Sequence, residues 1–232
     1  MKRWASGVQI AVPTAGSVHW ATVDRLQEIR DTHRWVPPVW YSPCHLGVTV
    51  NQNLIVERFL AEGGEVLVLV EDDVVPSLNM LSICDLIPDY GVTFQPYLMA
   101  IRPFWANRKK IASQSSSRQE EGLAYCVFEE DPLGEPVVGR TSLRIQPRGV
   151  GAQQCYAVGT GCTAISREVL LALQADPFRF EKQNGEFVGN DVAFCHQVNL
   201  AGFKVGVWWD EVADHHPRTS LETVRKAAVR GL

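Results

Sequence analysis

No stretch of this sequence is apolar for long enough to cross a bilayer; the longest run, Val66–Val70, has the length of a β-strand. No apolar signal core follows Lys2 and Arg3, so a cytoplasmic location is expected. Close cysteine pairs are missing too. Cys44, Cys84, Cys126, Cys155, Cys162 and Cys195 are scattered with no Cys-x-x-Cys among them. That argues against a zinc ribbon or a disulfide framework and leaves reduced, mostly buried thiols as the expectation. Charge of one sign is not in excess: 22 Lys and Arg stand against 26 Asp and Glu, for a net charge of −4. The overall balance therefore demands neither a nucleic-acid nor a membrane partner. Repeats and low-complexity tracts are also absent. What remains is a 232-residue chain, long enough for one large α/β domain spanning 1–232.

The first half alternates. Residues 7–12 read as a buried strand that stops at the turn residues Pro13, Thr14, Ala15 and Gly16. A helix is expected from Ser17, with Val23, Leu26 and Ile29 spaced three apart. Residues 36–40 are apolar but hold two prolines, and an edge strand is the expectation there. A second helix is expected over 51–61, with Leu54, Ile55, Phe59 and Leu60 as its apolar face, and then the run Val66–Val70 as a strand buried on both sides. Strand, helix, strand, helix, strand predicts a central, mostly parallel sheet flanked by helices, a Rossmann-like α/β fold. Residues 104–151 differ: they are polar, basic and serine-rich, and are expected to form an irregular acceptor-side or lid segment. Beyond them come a strand over 153–158, a glycine turn at 159–161 and a short strand over 162–165. A helix capped by Ser166 follows, then one from Asn190 or Asp191 to Gly202, a strand over 205–209, and a helical tail over 221–229.

Three consecutive carboxylates, Glu71, Asp72 and Asp73, follow the most buried strand. Ligands of open α/β sheets bind at that carboxyl edge. Adjacent acids there are either a solvated turn or the site of a divalent cation, and the strand before them favours the cation, Mn²⁺ or Mg²⁺. His215 and His216, after another buried strand, are candidates to complete the metal shell. Asp191, at a helix start, reads either as a cap or as a general base. Arg108, Lys109 and their basic neighbours, with Trp105, could grip a polyanion such as DNA.

Taken in order, residues 8–14, 51–60, 67–76, 158–170, 190–195 and 201–205 resemble the segments of GT-A fold glycosyltransferases, especially the small family-two-like and phage-type members. The resemblance implies a single GT-A domain that moves a sugar from a nucleotide-diphosphate sugar, a UDP-sugar first, to an acceptor hydroxyl with inversion. It implies that Pro13, Thr14 and Gly16 lie near the base, with Asn53, Glu71 and Asp72 also on the nucleotide-sugar side. Asp73 would be the principal ligand of a DxD-like metal motif, joined by His215 or His216. Gly159, Thr160 and Gly161 would let the backbone approach the sugar, and Asp191 would be the base. Trp105, Arg108, Lys109 and Asn190 are assigned to the acceptor, which could be a hydroxymethylated base of phage DNA or a glycan. Three positions depart from the pattern: Glu71 stands where aspartate is usual, Asn190 where an acid is frequent, and Gln52 where many members carry arginine.

Two other classes remain. A nucleotidyltransferase would want basic residues after the first strand to hold a triphosphate, and residues 13–19 contain neither lysine nor arginine. A non-catalytic nucleotide-sugar-binding domain would have no need of Asp73, Asp191 and the histidine pair together.

Overall fold

The computed structural model describes residues 7–44, 46–100, 123–128, 150–173, 175–183 and 186–216. In chain order the strands are β1 (Val8–Thr14), β2 (Trp40–Pro43), β3 (Val66–Val70), β4 (Val74–Val75), β5 (Gly91–Phe94), β6 (Leu98–Ala100), β7 (Leu123–Tyr125), β8 (Val127–Phe128), β9 (Ala152–Cys155), β10 (Ala157–Val158), β11 (Cys162–Ser166), β12 (Glu181–Gln183), β13 (Glu186–Val188), β14 (Lys204–Trp208) and β15 (Asp214–His215). The helices are α1 (Trp20–Thr32), α2 (Val48–Glu62), α3 (Ser82–Asp85), α4 (Ile87–Tyr90), α5 (Arg167–Leu173) and α6 (Asn190–Leu200).

Seven strands form the central sheet in the order β2-β1-β3-β11-β5-β14-β9. β1 runs parallel to β2 and β3, and β14 runs parallel to β5. β11 is antiparallel to both β3 and β5, and β9 is antiparallel to β14. The sheet is therefore mixed and mostly parallel, as the alternation of elements predicts, with one reversed strand inserted at its centre.

Period-two alternation divides the core. Leu67 and Leu69 of β3 face one hydrophobic cluster with Ile55, Val56 and Phe59 of α2, Val169 and Leu170 of α5, and Phe194 of α6. Val66, Val68 and Val70 face the other, with Leu26 and Ile29 of α1, Ile83 of α3 and Ile87 of α4. All five β3 side chains are buried, which is why this strand reads as a continuous apolar run instead of an alternating one.

The helices depart from the expected faces and bounds. α1 begins at Trp20, not Ser17, because the chain first crosses the acidic turn, where the His19 N–H donates to the Asp72 carbonyl at 2.7 Å. Its buried stripe is Thr22, Leu26 and Ile29, and Val23 is exposed. α2 buries Asn51, Gln52, Ile55, Val56 and Phe59 and leaves Leu54 exposed, so two amides occupy the face expected to be apolar. Ser166 does cap α5, accepting from the Val169 N–H at 3.2 Å. Gly202 follows α6 with φ +84°, the left-handed conformation suited to glycine after a helix. The expected strand over 153–158 is broken at Tyr156 into β9 and β10. Most of residues 104–151 and the tail at 221–229 lie outside the described residues. All six cysteines are free, and five of them are buried. Among the described residues no helix is long and apolar enough to cross a membrane.

Candidate active site

β3 delivers its last residue, Val70, to the carboxyl edge of the parallel strands, and Glu71, Asp72 and Asp73 turn there into β4. Because β11 is antiparallel to β3, with Cys162 opposite Val70, the start of β11 lies at the same edge. The glycine turn thus sits against the acids. The Glu71 N–H donates to the Gly161 carbonyl at 2.9 Å, and Thr160 Oγ1 donates to Glu71 Oε1 at 2.9 Å. Loss of hydration raises the Glu71 carboxyl to about 7. The Thr160 hydrogen bond and His215 oppose that rise, and Asp191 and Asp73 add to it.

The two histidines diverge. β15 pairs with β4 in the register His215 opposite Val74, and His215 Nε2 lies 3.6 Å from Asp73 Oδ2. His216 donates its backbone N–H to the Asp73 carbonyl at 2.8 Å, but its ring stacks on His19, with centroids 4.6 Å apart and planes 12° apart. Neighbours in an extended chain point to opposite sides, so one of the pair faces Asp73 and the other faces α1. Of the two sequence candidates, His215 is the one beside Asp73, and His216 belongs to a ring stack. Among the described residues no three His, Cys, Asp or Glu side chains converge into a ready-made metal cage. Asp73 and His215 form a pair, each about one-fifth exposed.

The turn after β1 closes the other side. Thr14 Oγ1 donates to the Ser17 carbonyl at 2.7 Å and accepts from the Gly16 N–H at 3.1 Å, with Gly16 at φ 120°. β1 pairs with β3 only as far as Ala11, so Pro13, which has no N–H to give, extends past the end of its neighbour beside the acidic turn.

Asp191 is the second residue of α6. Its Oδ1 accepts from the Val192 N–H at 2.8 Å. Burial raises its pKa, and hydrogen bonds from the Val192 and Asp191 N–H groups hold that rise back. Asp191 also raises the pKa of Glu71, Tyr97 and Cys126, which places all four groups in one neighbourhood. The buried Tyr97 ring also lies 5.0 Å from His215.

The glycines pack closely against a buried ring. A Cβ at Gly161 would stand 2.5 Å from the Tyr97 ring and 3.0 Å from Val74, and one at Gly159 would meet the Tyr97 hydroxyl and Cys126 Sγ. The space freed by their missing side chains is filled by Tyr97. Gly161→Ala is expected to destabilise the fold by about 1–3 kcal/mol, read from the midpoint of urea unfolding, because backbone and a buried ring must both give way. An unchanged midpoint would mean that the turn is free to move off Tyr97.

Asn53 is tied elsewhere. Its Nδ2 donates to the Phe178 carbonyl at 2.8 Å and its Oδ1 accepts from the Phe178 N–H at 3.0 Å, so both ends of the amide are bound to backbone. The Asn190 amide donates to Gln52 at 2.9 Å. Trp105, Arg108 and Lys109 lie outside the described residues. Tyr97 stands in no sequence motif, and the hydrogen bond of Gln52 to Asn190 shows only in the fold. A groove of about 800 Å³ lies far from this cluster, lined by Tyr90, Arg167 and Lys204. It sits at the opposite edge of the sheet and includes none of Glu71, Asp72, Asp73 and Asp191.

The sequence matches no protein-family model and no curated protein. Among solved structures, A197 from STIV is similar with a TM-score of 0.59 and 16% identity over 91% of this chain and 86% of its own. GalNAc-T7, solved with UDP, GalNAc and Mn²⁺, is similar with a TM-score of 0.51 and 14% identity over 95% of this chain and 39% of its own. A CMP:2-keto-3-deoxy-manno-octonic acid synthetase complexed with CTP aligns at a TM-score of 0.48 and 13% identity over 98% of this chain and 100% of its own. The likeness is one of fold: the chain has a GT-A-like, Rossmann-like α/β architecture.

Proposed function

We propose that this chain is a metal-dependent glycosyltransferase that moves a sugar from a nucleoside diphosphate donor, a UDP-sugar before others, to an acceptor hydroxyl with inversion. The observation that carries this reading is the Asp73–His215 pair beside Glu71 at the carboxyl edge of a GT-A-like sheet, with Asp191 near enough to act on the Glu71 charge.

Asp73 Oδ2 and His215 Nε2 would hold Mn²⁺ or Mg²⁺. Their 3.6 Å separation suits neighbouring ligands of one small cation, and their partial exposure leaves the remaining positions to diphosphate oxygens and water. When bound, the ion supplies positive charge against the departing diphosphate. The turn of Pro13, Thr14 and Gly16 receives the nucleoside. Asp72, whose carbonyl accepts from the His19 N–H, is assigned to that side, while Glu71 and Thr160 border the sugar. Asp191 takes the proton from the acceptor hydroxyl. The acceptor oxygen bonds to the anomeric carbon as the bond from that carbon to the diphosphate breaks, and the electron pair leaves with the diphosphate. A base whose pKa burial raises above the ordinary carboxylate value suits that proton transfer. Trp105, Arg108 and Lys109 supply the acceptor side, for a modified base in phage DNA or for a glycan, and the whole chain acts as one domain.

The test is a thermal-shift screen of UDP, GDP, CDP and their sugar conjugates, with and without manganese. UDP and Mn²⁺ come first because GalNAc-T7, of similar fold, was solved with both. A hundredfold excess over the dissociation constant is expected to stabilise the protein by ~2.7 kcal/mol, only with the ion, and not in Asp73→Ala. No shift with any donor would remove the reading. Pyrophosphate released from a nucleoside triphosphate would assign the chain to the nucleotidyltransferases instead.

A further inference from the structure

Two consecutive residues of α2 are amides where the helix should be apolar. Asn51 is 2% exposed and Gln52 is fully buried. Asn51 Nδ2 donates to the Thr14 carbonyl at 3.2 Å and to the Ser42 carbonyl at 2.5 Å, gripping the ends of β1 and β2. Gln52 Oε1 accepts from Asn190 Nδ2 at 2.9 Å, gripping the first residue of α6 across 138 positions of sequence. One helical turn therefore joins the β1 turn to the residue next to Asp191.

The arrangement is costly. Asn51 Oδ1 and Gln52 Nε2 are both buried without a hydrogen-bond partner in the structure. Each such atom loses its hydration with no hydrogen bond in return. An apolar side chain of similar volume would pack beside Ile55 and Val56 without that penalty. Stability alone gives no reason for amides here, whereas geometry does. A hydrogen bond between two planar groups fixes distance and direction, and apolar contacts do not. The pair is also uncharged. An acid at either position would repel Asp191, and a cation would hold it ionised and weaken it as a base.

We infer that Gln52 is a positioning residue for Asp191, acting through the Asn190 amide, so that the carboxylate is presented to the acceptor from a fixed first turn of α6. This rests on the glycosyltransferase reading. Gln52 touches neither donor nor acceptor, and its effect is on the transfer step.

The experiment compares wild type with Gln52→Met, Gln52→Glu, Asn190→Ala and the double variant Gln52→Met with Asn190→Ala, under the donor and ion found by the screen. Gln52→Met is expected to melt no lower than wild type, since it removes an unpaired buried donor, yet to lower kcat about tenfold with donor KM changed less than about twofold. Gln52→Glu keeps an acceptor for Asn190 and adds a negative charge. It is expected to move the acid limb of the kcat–pH profile up by about one unit. It serves as the second variant should Gln52→Met fail to fold. The double variant should lose no more than the worse single one, because both cut the same connection. Unchanged kcat in Gln52→Met, or an unmoved profile in Gln52→Glu, would overturn the inference and leave the transferase standing. A wild type that transfers sugar from no donor would overturn the glycosyltransferase reading and this inference with it.

Discussion

Asp191→Asn is expected to leave donor binding intact and to lower the transfer rate by about 10²–10⁴-fold. The substitution preserves shape: the asparagine Oδ1 can still accept from the Val192 N–H, which Asp191 holds at 2.8 Å, and the first turn of α6 keeps its support. What it removes is the ability to take a proton. The donor screen therefore separates the two functions, with the same manganese-dependent shift in both proteins and turnover in one. The wild-type rate should also carry the signature of this carboxyl. Burial raises its pKa, so below that value the base is protonated and kcat falls as pH drops, levelling above it. Asp191→Asn should lose that limb along with the rate. A variant retaining activity within threefold would show that another group accepts the proton, or that the reaction proceeds with retention through a different arrangement.

How far the sequence discloses this site depends on what each residue's signal rests on. β3 was legible because burial on both faces makes Val66–Val70 continuously apolar, and the acids after it could be placed at the binding edge by topology alone. The insertion of β11 antiparallel between β3 and β5 was not legible, since short apolar strands look alike in either direction. Yet that reversal is what brings Thr160 to Glu71. Periodicity misjudged α2 for a related reason. Leu54 is as apolar as Ile55, and only the fold shows that the buried stripe runs through Gln52 and Asn51 and leaves Leu54 in solvent. That His215 and not His216 lies beside Asp73 shows only in the register with β4. The glycine turn also packs against Tyr97, more than sixty residues away in sequence, a contact that a spacing argument cannot reach. The bonds of Asn53 to the Phe178 backbone span 125 positions and are equally out of reach of the sequence.

Glu71→Gln is expected to make the metal-free protein more stable at alkaline pH while weakening its response to the ion. The carboxyl is raised from 4.5 to about 7, chiefly by loss of hydration, so the folded protein binds this proton more tightly than the unfolded chain does. For such a group, stability is fully present below about 4.5, is lost progressively as pH rises from there to about 7, and stays lost above. The full shift would correspond to about 3 kcal/mol; because Glu71 keeps part of its surface in the cleft, about 1–3 kcal/mol is the expected size. Glutamine keeps an oxygen for Thr160 Oγ1 to donate to, and carries no charge for Asp191 and Asp73 to repel. In EDTA at pH 8, Glu71→Gln should therefore melt several degrees above wild type, and the gap should close as pH falls toward 4.5. Manganese should narrow the gap at pH 8 from the other side, since a cation at Asp73 favours an ionised neighbour and stabilises wild type more than the variant. Weaker donor binding by Glu71→Gln would then accompany its greater stability, the compromise expected where acids are gathered for a ligand and not for the fold. A stability gap of constant size from pH 4.5 to pH 8 would show that Glu71 does not hold its proton in the folded state, and an equal manganese shift in both proteins would show that its charge does not serve the ion.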